Sequence, residues 1–118
     1  MSTDISALNN IAGFIGACMV DSESGLMLAS EGGSARFDLE AAGAANTEVV
    51  RAKNAAMKAL NLKDQIEDIL ITLGTQYHLI RPLATNSAIF IYVALDKKTA
   101  NLGMARLATK TVESTINV

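Results

Sequence analysis

Phe14-Ile15-Gly16-Ala17-Cys18-Met19-Val20-Asp21-Ser22-Glu23-Ser24-Gly25-Leu26-Met27-Leu28-Ala29-Ser30 is the stretch on which the fold class turns. Residues 14–20 are a continuous apolar run of strand length, which predicts a strand covered on both faces and therefore internal to a sheet. Residues 21–25 have the composition of a hairpin loop, with Gly25 free to take a positive φ. Residues 26–30 then form the returning strand. Upstream, Asp4 is placed to cap a short helix through Asn10, with Ile5, Leu8 and Ile11 at spacings of three and Gly13 as a stop.

Downstream, residues 31–37 read as a flexible connector, and Asp38 is placed to cap a long helix over 39–60. That segment has no Pro and one Gly, and Leu39, Ala42, Val49, Ala52, Ala56 and Leu60 recur on one helical face. At about 1.5 Å per residue it would run roughly 33 Å, the width of a small domain. Asn61 suits the left-handed position after such a helix. Residues 66–73, 76–83 and 88–95 follow as three strands, joined by Gly74-Thr75 and by Thr85-Asn86-Ser87, both of hairpin length. The last is apolar throughout and predicts a second internal strand. The middle one carries Gln76, His78 and Arg81 and ends near Pro82, so it is expected to face water on one side. Helical spacing returns over 98–116, with Asn101, Ala105, Ala108, Val112 and Ile116 on one stripe. The order helix, strand, strand, helix, strand, strand, strand, helix predicts an α+β fold with a five-stranded antiparallel sheet. At 118 residues the chain is sized for one domain, residues 1–118, with no internal repeat.

Composition narrows the function classes. The net charge is −2, with a pI near 5.3, and the ten Lys and Arg are scattered, which argues against a nucleic-acid partner. Three Phe, two Tyr and no Trp give little material for base stacking. The longest apolar run, about eight residues, is far below the roughly twenty of a membrane span. The N-terminal Met1-Ser2-Thr3-Asp4 lacks the features of a secretory signal, and the lone Cys18 has no partner for an internal disulfide, so a cytoplasmic location is expected.

No catalytic constellation emerges. Cys18 lies in an apolar strand and reads as a buried core thiol, and the single histidine, His78, reads as a surface or edge-strand residue. Asp21-x-Glu23-x-Gly25 resembles the start of a calcium loop but lacks oxygen ligands at its fifth and twelfth positions, Gly25 and Gly32. Gly32-Gly33-Ser34 has neither a P-loop ending nor a dinucleotide fingerprint. Glu67 and Asp68, adjacent on a strand, would point to opposite faces and form no acid/base pair. The expectation is a non-enzyme with no cofactor and no metal. Half the residues are apolar and the mean hydropathy is +0.28, more than a domain of this size readily buries. Leftover apolar surface predicts association, and a homodimer is the simplest form.

Two segments carry a family resemblance. Ile15-Gly16-Ala17-Cys18-Met19-Val20-Asp21-Ser22-Glu23-Ser24-Gly25-Leu26-Met27-Leu28-Ala29-Ser30 resembles the first hairpin of the Roadblock family, also called the dynein light chain roadblock class. Asn101-Leu102-Gly103-Met104-Ala105-Arg106 is similar to the opening of that family's last helix, and element order, length and the Ala-rich middle helix agree with a bacterial or archaeal single-domain type. The resemblance implies a profilin-like sandwich and a non-catalytic scaffold or regulator of a small Ras-like GTPase. It also implies a homodimer or heterodimer joined edge to edge at the third strand, with the long helices together. On this sequence the seam would then involve Val49, Ala52, Lys53, Ala56 and Leu60 of the helix and Ile69, Ile71 and Leu73 of the strand. Arg36 has the best reach of the four arginines, but switch-selective binding is the expected route to regulation rather than an arginine finger. The alternative function is a small-molecule-sensing domain of profilin-like topology.

Overall fold

The computed structural model describes residues 2–118. Strands β1 (Phe14–Asp21) and β2 (Met27–Gly32) form the first hairpin, followed by helix α1 (Leu39–Ala59). The meander β3 (Ile69–Thr72), β4 (Gln76–Pro82) and β5 (Ile89–Asp96) comes next, and helix α2 (Leu102–Thr115) closes the chain. All pairings are antiparallel and the spatial order is β2-β1-β5-β4-β3, so β1 and β5 are internal as their apolar runs predict, and β2 and β3 are the edges. The α+β class and the five-stranded antiparallel sheet stand as the sequence predicts.

Strand alternation divides the core into two layers. On one face Ala17, Met19, Leu79, Ile91, Val93 and Leu95 pack under α2 and the N-terminal turn, which contributes Ile5 and Leu8. On the other, Cys18, Val20, Ile80, Phe90, Tyr92 and Ala94 meet Val50 of α1. No helix among the described residues is long and apolar enough to cross a membrane.

Several expectations need correction. The first helix is a five-residue 3-10 turn, Ser6–Asn10, capped by no side chain at Ile5, although Asp4 Oδ1 does accept from Ser6 N–H at 2.9 Å. The connector 31–37 is structured: Glu31 and Gly32 belong to β2, and Ser34 and Phe37 exchange two backbone hydrogen bonds of 3.2 and 3.0 Å. Helix α2 begins after Asn101, whose side chain caps it by accepting from Met104 N–H at 3.1 Å. Strand β3 covers only Ile69–Thr72 rather than 66–73, so Glu67 and Asp68 precede the strand instead of lying on it. Strand β4 has no water-facing side made of Gln76, His78 and Arg81, because the odd and even positions diverge and both faces are partly covered.

Helix α1 carries the largest revision. Its buried residues are Leu39, Gly43, Asn46, Thr47 and Val50, a face turned roughly a quarter turn from the stripe of Ala42, Val49, Ala52, Ala56 and Leu60. Asn46 and Thr47 can be buried because each side chain bonds its own helix, Nδ2 to Ala42 O at 2.7 Å and Oγ1 to Gly43 O at 2.9 Å. Gly43 allows the close approach that the core face requires: a β-carbon there would stand 2.9 Å from Val20 Cγ2. The helix starts at Asp38, which accepts from the Glu40 and Ala41 N–H groups at 3.0 and 3.1 Å, and ends at Asn61 with φ 55°.

Candidate interaction surface

The face of α1 that points away from the sheet is left uncovered over its second half. Ala52, Lys53, Ala56 and Leu60 are exposed and Val49 is half-buried, with Leu60 at 67%. These are the five helical residues expected at a seam. Of the three strand residues, Ile69 and Ile71 are half-buried on the α1 side of the sheet and Leu73, just past β3, is 42% exposed. A groove of about 840 Å³ between α1 and residues 64–69 brings Val49, Lys53 and Ile69 onto one surface, together with Met57 and Leu62. Ala52, Ala56, Leu60, Ile71 and Leu73 lie outside that groove's lining. Leu62, 52% exposed, is a further apolar contributor that the sequence stripe passes over.

The two edges of the sheet differ. Along β2 the register shifts between Met19 and Val20, leaving Leu28 as an extra residue, a bulge that twists an edge and interrupts its ladder. Glu31 on the same strand accepts from Asn9 Nδ2 at 2.6 Å, so the N-terminal turn is tied across it. Strand β3 has none of these devices. Its four residues pair with β4 in unbroken register, and no charged side chain falls within Ile69–Thr72. An uncharged, regular, unpaired edge is a template for another strand.

An ion network lies at the residue just before that edge. Asp68 accepts from Arg106 of α2 at 2.7 and 3.0 Å, and Arg81 of β4 lies 3.9 Å from the same carboxylate. Arg81 in turn donates from Nε to Glu113 at 2.6 Å, and Glu113 also accepts from Ala84 N–H at 3.1 Å. The sequence reading missed this network. The available signal was a charged residue, Arg81, placed amid the apolar run of an internal strand, where an ion needs a partner.

His78 lies beside the edge. It sits opposite Ile71 in the ladder, edge-on to Tyr92 at 5.4 Å and to Phe37 at 6.2 Å between ring centres, with Nε2 2.7 Å from Gln76 Oε1. The expectation of a surface or edge-strand histidine is therefore corrected: β4 is internal and the ring is half-buried. Desolvation lowers its pKa from the ordinary value. Cys18 is fully buried and burial pushes its thiol up to about 12, so it is inert at neutral pH. Arg36 is exposed on the turn before α1. Among the described residues no group of three His, Cys, Asp or Glu side chains converges as metal ligands.

A sheet of order β2-β1-β5-β4-β3, with a long helix on one face and a turn and shorter helix on the other, superimposes on known structures. MglB from Myxococcus xanthus matches with a TM-score of 0.79 at 17% identity, over 92% of this chain and 78% of that one. A Roadblock/LC7 domain from Streptomyces avermitilis matches with a TM-score of 0.78 at 8% identity, over 92% and 87%. This is a roadblock-type fold. The gliding protein MglB of Thermus thermophilus gives a TM-score of 0.72 at 16% identity, over 91% of this chain and 77% of that one. No sequence-family model matches the chain, and no curated protein sequence matches it. At these identities the likeness to the roadblock structures is a likeness of fold.

Proposed function

We propose that this chain is a non-catalytic adaptor that self-associates along β3 and the outer face of α1, and that the joined surface binds a small Ras-like GTPase. The observation that carries the first half is the contrast between the two sheet edges. Strand β2 is blunted by a bulge, whereas β3 is uncharged and regular, and lies on the same side as an uncovered helix stripe. The eight residues Val49, Ala52, Lys53, Ala56, Leu60, Ile69, Ile71 and Leu73 are the candidate seam. The GTPase partner follows from the resemblance to the Roadblock family, and the roadblock-type fold supports it. Regulation would come from binding one switch conformation better than the other, which shifts its population without chemistry by the adaptor.

Light scattering on the wild type and on Ile71→Lys tests the self-association. A wild-type dimer and a folded monomeric variant are expected. A wild-type monomer contradicts the proposal. For the partner, titration of a cognate GTPase in its GDP and GTP-analogue forms should give unequal affinities, and no binding to either form removes that half. Melting-temperature rises with small molecules, in a chain that stays monomeric, would favour the sensing alternative.

A further inference from the structure

Arg81 has more donors than its neighbours use. A guanidinium carries several N–H groups in a planar fork, and here only Nε is engaged, donating to Glu113 Oε1 at 2.6 Å. Nη1 lies 3.9 Å from Asp68, beyond hydrogen-bond reach, and among the described residues neither terminal nitrogen is bonded to an acceptor. The nearby carboxylates are already committed: Asp68 accepts twice from Arg106, and the second oxygen of Glu113 accepts from Ala84 N–H. The Arg81 side chain is nevertheless only 15% exposed, and a covered ionic donor without an acceptor is costly. No fully buried side-chain nitrogen or oxygen among the described residues lacks a partner, so both terminal nitrogens border open space.

That space is a cleft of about 220 Å³ bounded by the ends of β4 and α2, the loop after β4 and the segment before β3. Arg81 and Glu113 are its covered charged residues, and Asp64 and Glu67 its exposed ones. The cleft thus has a guanidinium fork inside and two carboxylates at its mouth. Neither Asp64 nor Glu67 is in a salt bridge among the described residues. Ile66, half-buried, and Leu83, buried, supply an apolar wall. The volume falls below the roughly 300–1,000 Å³ of sites for drug-sized ligands, which suits a small molecule.

The signs decide the ligand. Arg81, Arg106, Asp68 and Glu113 balance one another, so Asp64 and Glu67 are the excess charge of the cleft. A bare anion would meet the fork but also two repelling carboxylates, and a bare cation would leave the fork unfilled. We propose that the cleft binds a free aliphatic amino acid. Its carboxylate takes the two terminal nitrogens of Arg81, its ammonium faces Asp64 and Glu67, and its side chain lies on Ile66 and Leu83. Paired N–H···O bonds from one guanidinium make such a carboxylate contact both strong and directional. The site is separate from the adaptor reading and stands whether or not the chain self-associates.

Calorimetric titration of the full chain with L-leucine tests this, beside isocaproate, which lacks the ammonium, and isopentylamine, which lacks the carboxylate. Leucine should bind at least about tenfold more tightly than either analogue, the discrimination expected when one charged hydrogen-bonding group is lost. Asp64→Asn combined with Glu67→Gln changes only exposed side chains. It should weaken leucine about tenfold and tighten isocaproate, because the repulsion at the mouth is gone. Arg81→Lys keeps the charge and loses the fork, and should weaken leucine and isocaproate while sparing isopentylamine. The exposed pair carries the test if that variant unfolds. No saturable binding of leucine to the wild type overturns the proposal. Equal binding of either analogue overturns the zwitterion as ligand, and an undiminished leucine affinity in the double variant overturns the placement in this cleft.

Discussion

Arg106 holds Asp68 through two hydrogen bonds, of 2.7 and 3.0 Å, so α2 grips the residue at which the chain turns into the edge strand. Arg81 and Glu113 extend this grip into the body of the domain, their side chains only 15% and 10% exposed. Removing one member of such a covered pair leaves the other short of partners. Glu113→Ala strands Arg81 Nε and Ala84 N–H together, and urea unfolding should show a loss of about 2–4 kcal/mol. Arg106→Gln should cost less, because Arg106 is half exposed and Asp68, 11% exposed, keeps Arg81 at 3.9 Å. Equal effects of the two substitutions would mean that the inner pair is not the stabilising one.

Gly43 gives a second prediction. Helix propensity alone favours Gly43→Val, because glycine is the poorest non-proline residue in a helix interior. The contact with Val20 opposes it, since a β-carbon would already stand 2.9 Å from Cγ2 on a stiff strand side chain. Overpacking should win, lowering stability by about 1–3 kcal/mol in chemical denaturation. A stabilised variant would show that α1 can lift from β1 without loss.

Helix capping is testable at Asp38. Asp38→Ala removes the acceptor of two N–H groups in the first turn of α1 and should cost about 1 kcal/mol, whereas Asp38→Asn should retain most of the stability. Thermal unfolding of the three proteins side by side measures it.

His78 supplies a pH dependence whose sign is fixed. Its folded pKa lies below the ordinary value of about 6.5, so below that pH the unfolded chain takes up a proton that the folded chain resists. Stability contributed at this position is therefore intact above about 6.5 and declines as pH falls toward the folded pKa. On the same sheet face, the titratable neighbour Tyr92 is pushed by burial to about 12 and stays neutral throughout. Melting curves from pH 7.5 to 5 should show a decline in wild type that is smaller in His78→Gln. Parallel declines would assign the effect to other groups.

The sheet was legible because its strands differ in kind: residues 14–20 and 88–95 are apolar on both faces, and only internal strands tolerate that. Helix α1 was legible as a helix but not in its orientation. Alanine reads as apolar in every direction, so the stripe through Ala42, Ala52 and Ala56 looked like a core face, while the true one is spelled Gly43, Asn46, Thr47 and Val50. Burial of Asn46 and Thr47 depends on hydrogen bonds back to their own helix, which no periodicity records. The short β3 was illegible for a related reason. Ile66 to Leu73 holds five apolar residues and no Pro or Gly, so it reads as one longer strand, whereas pairing begins at Ile69, directly after Asp68, which is held by Arg106 from 38 residues away in sequence. Eight residues could be named from the sequence as an expected seam, yet the contrast between the two edges comes only from register.

The extra residue at Leu28 bears on how large an assembly can grow. A sheet with two equally receptive margins can add subunits head to tail without limit, giving fibres. Here one margin is bent out of true, so a copy that docks through β3 offers no flat rim to the next arrival. If two copies join through β3 as proposed, growth by strand addition would close at a pair, leaving a receptive border without the hazard of polymerisation.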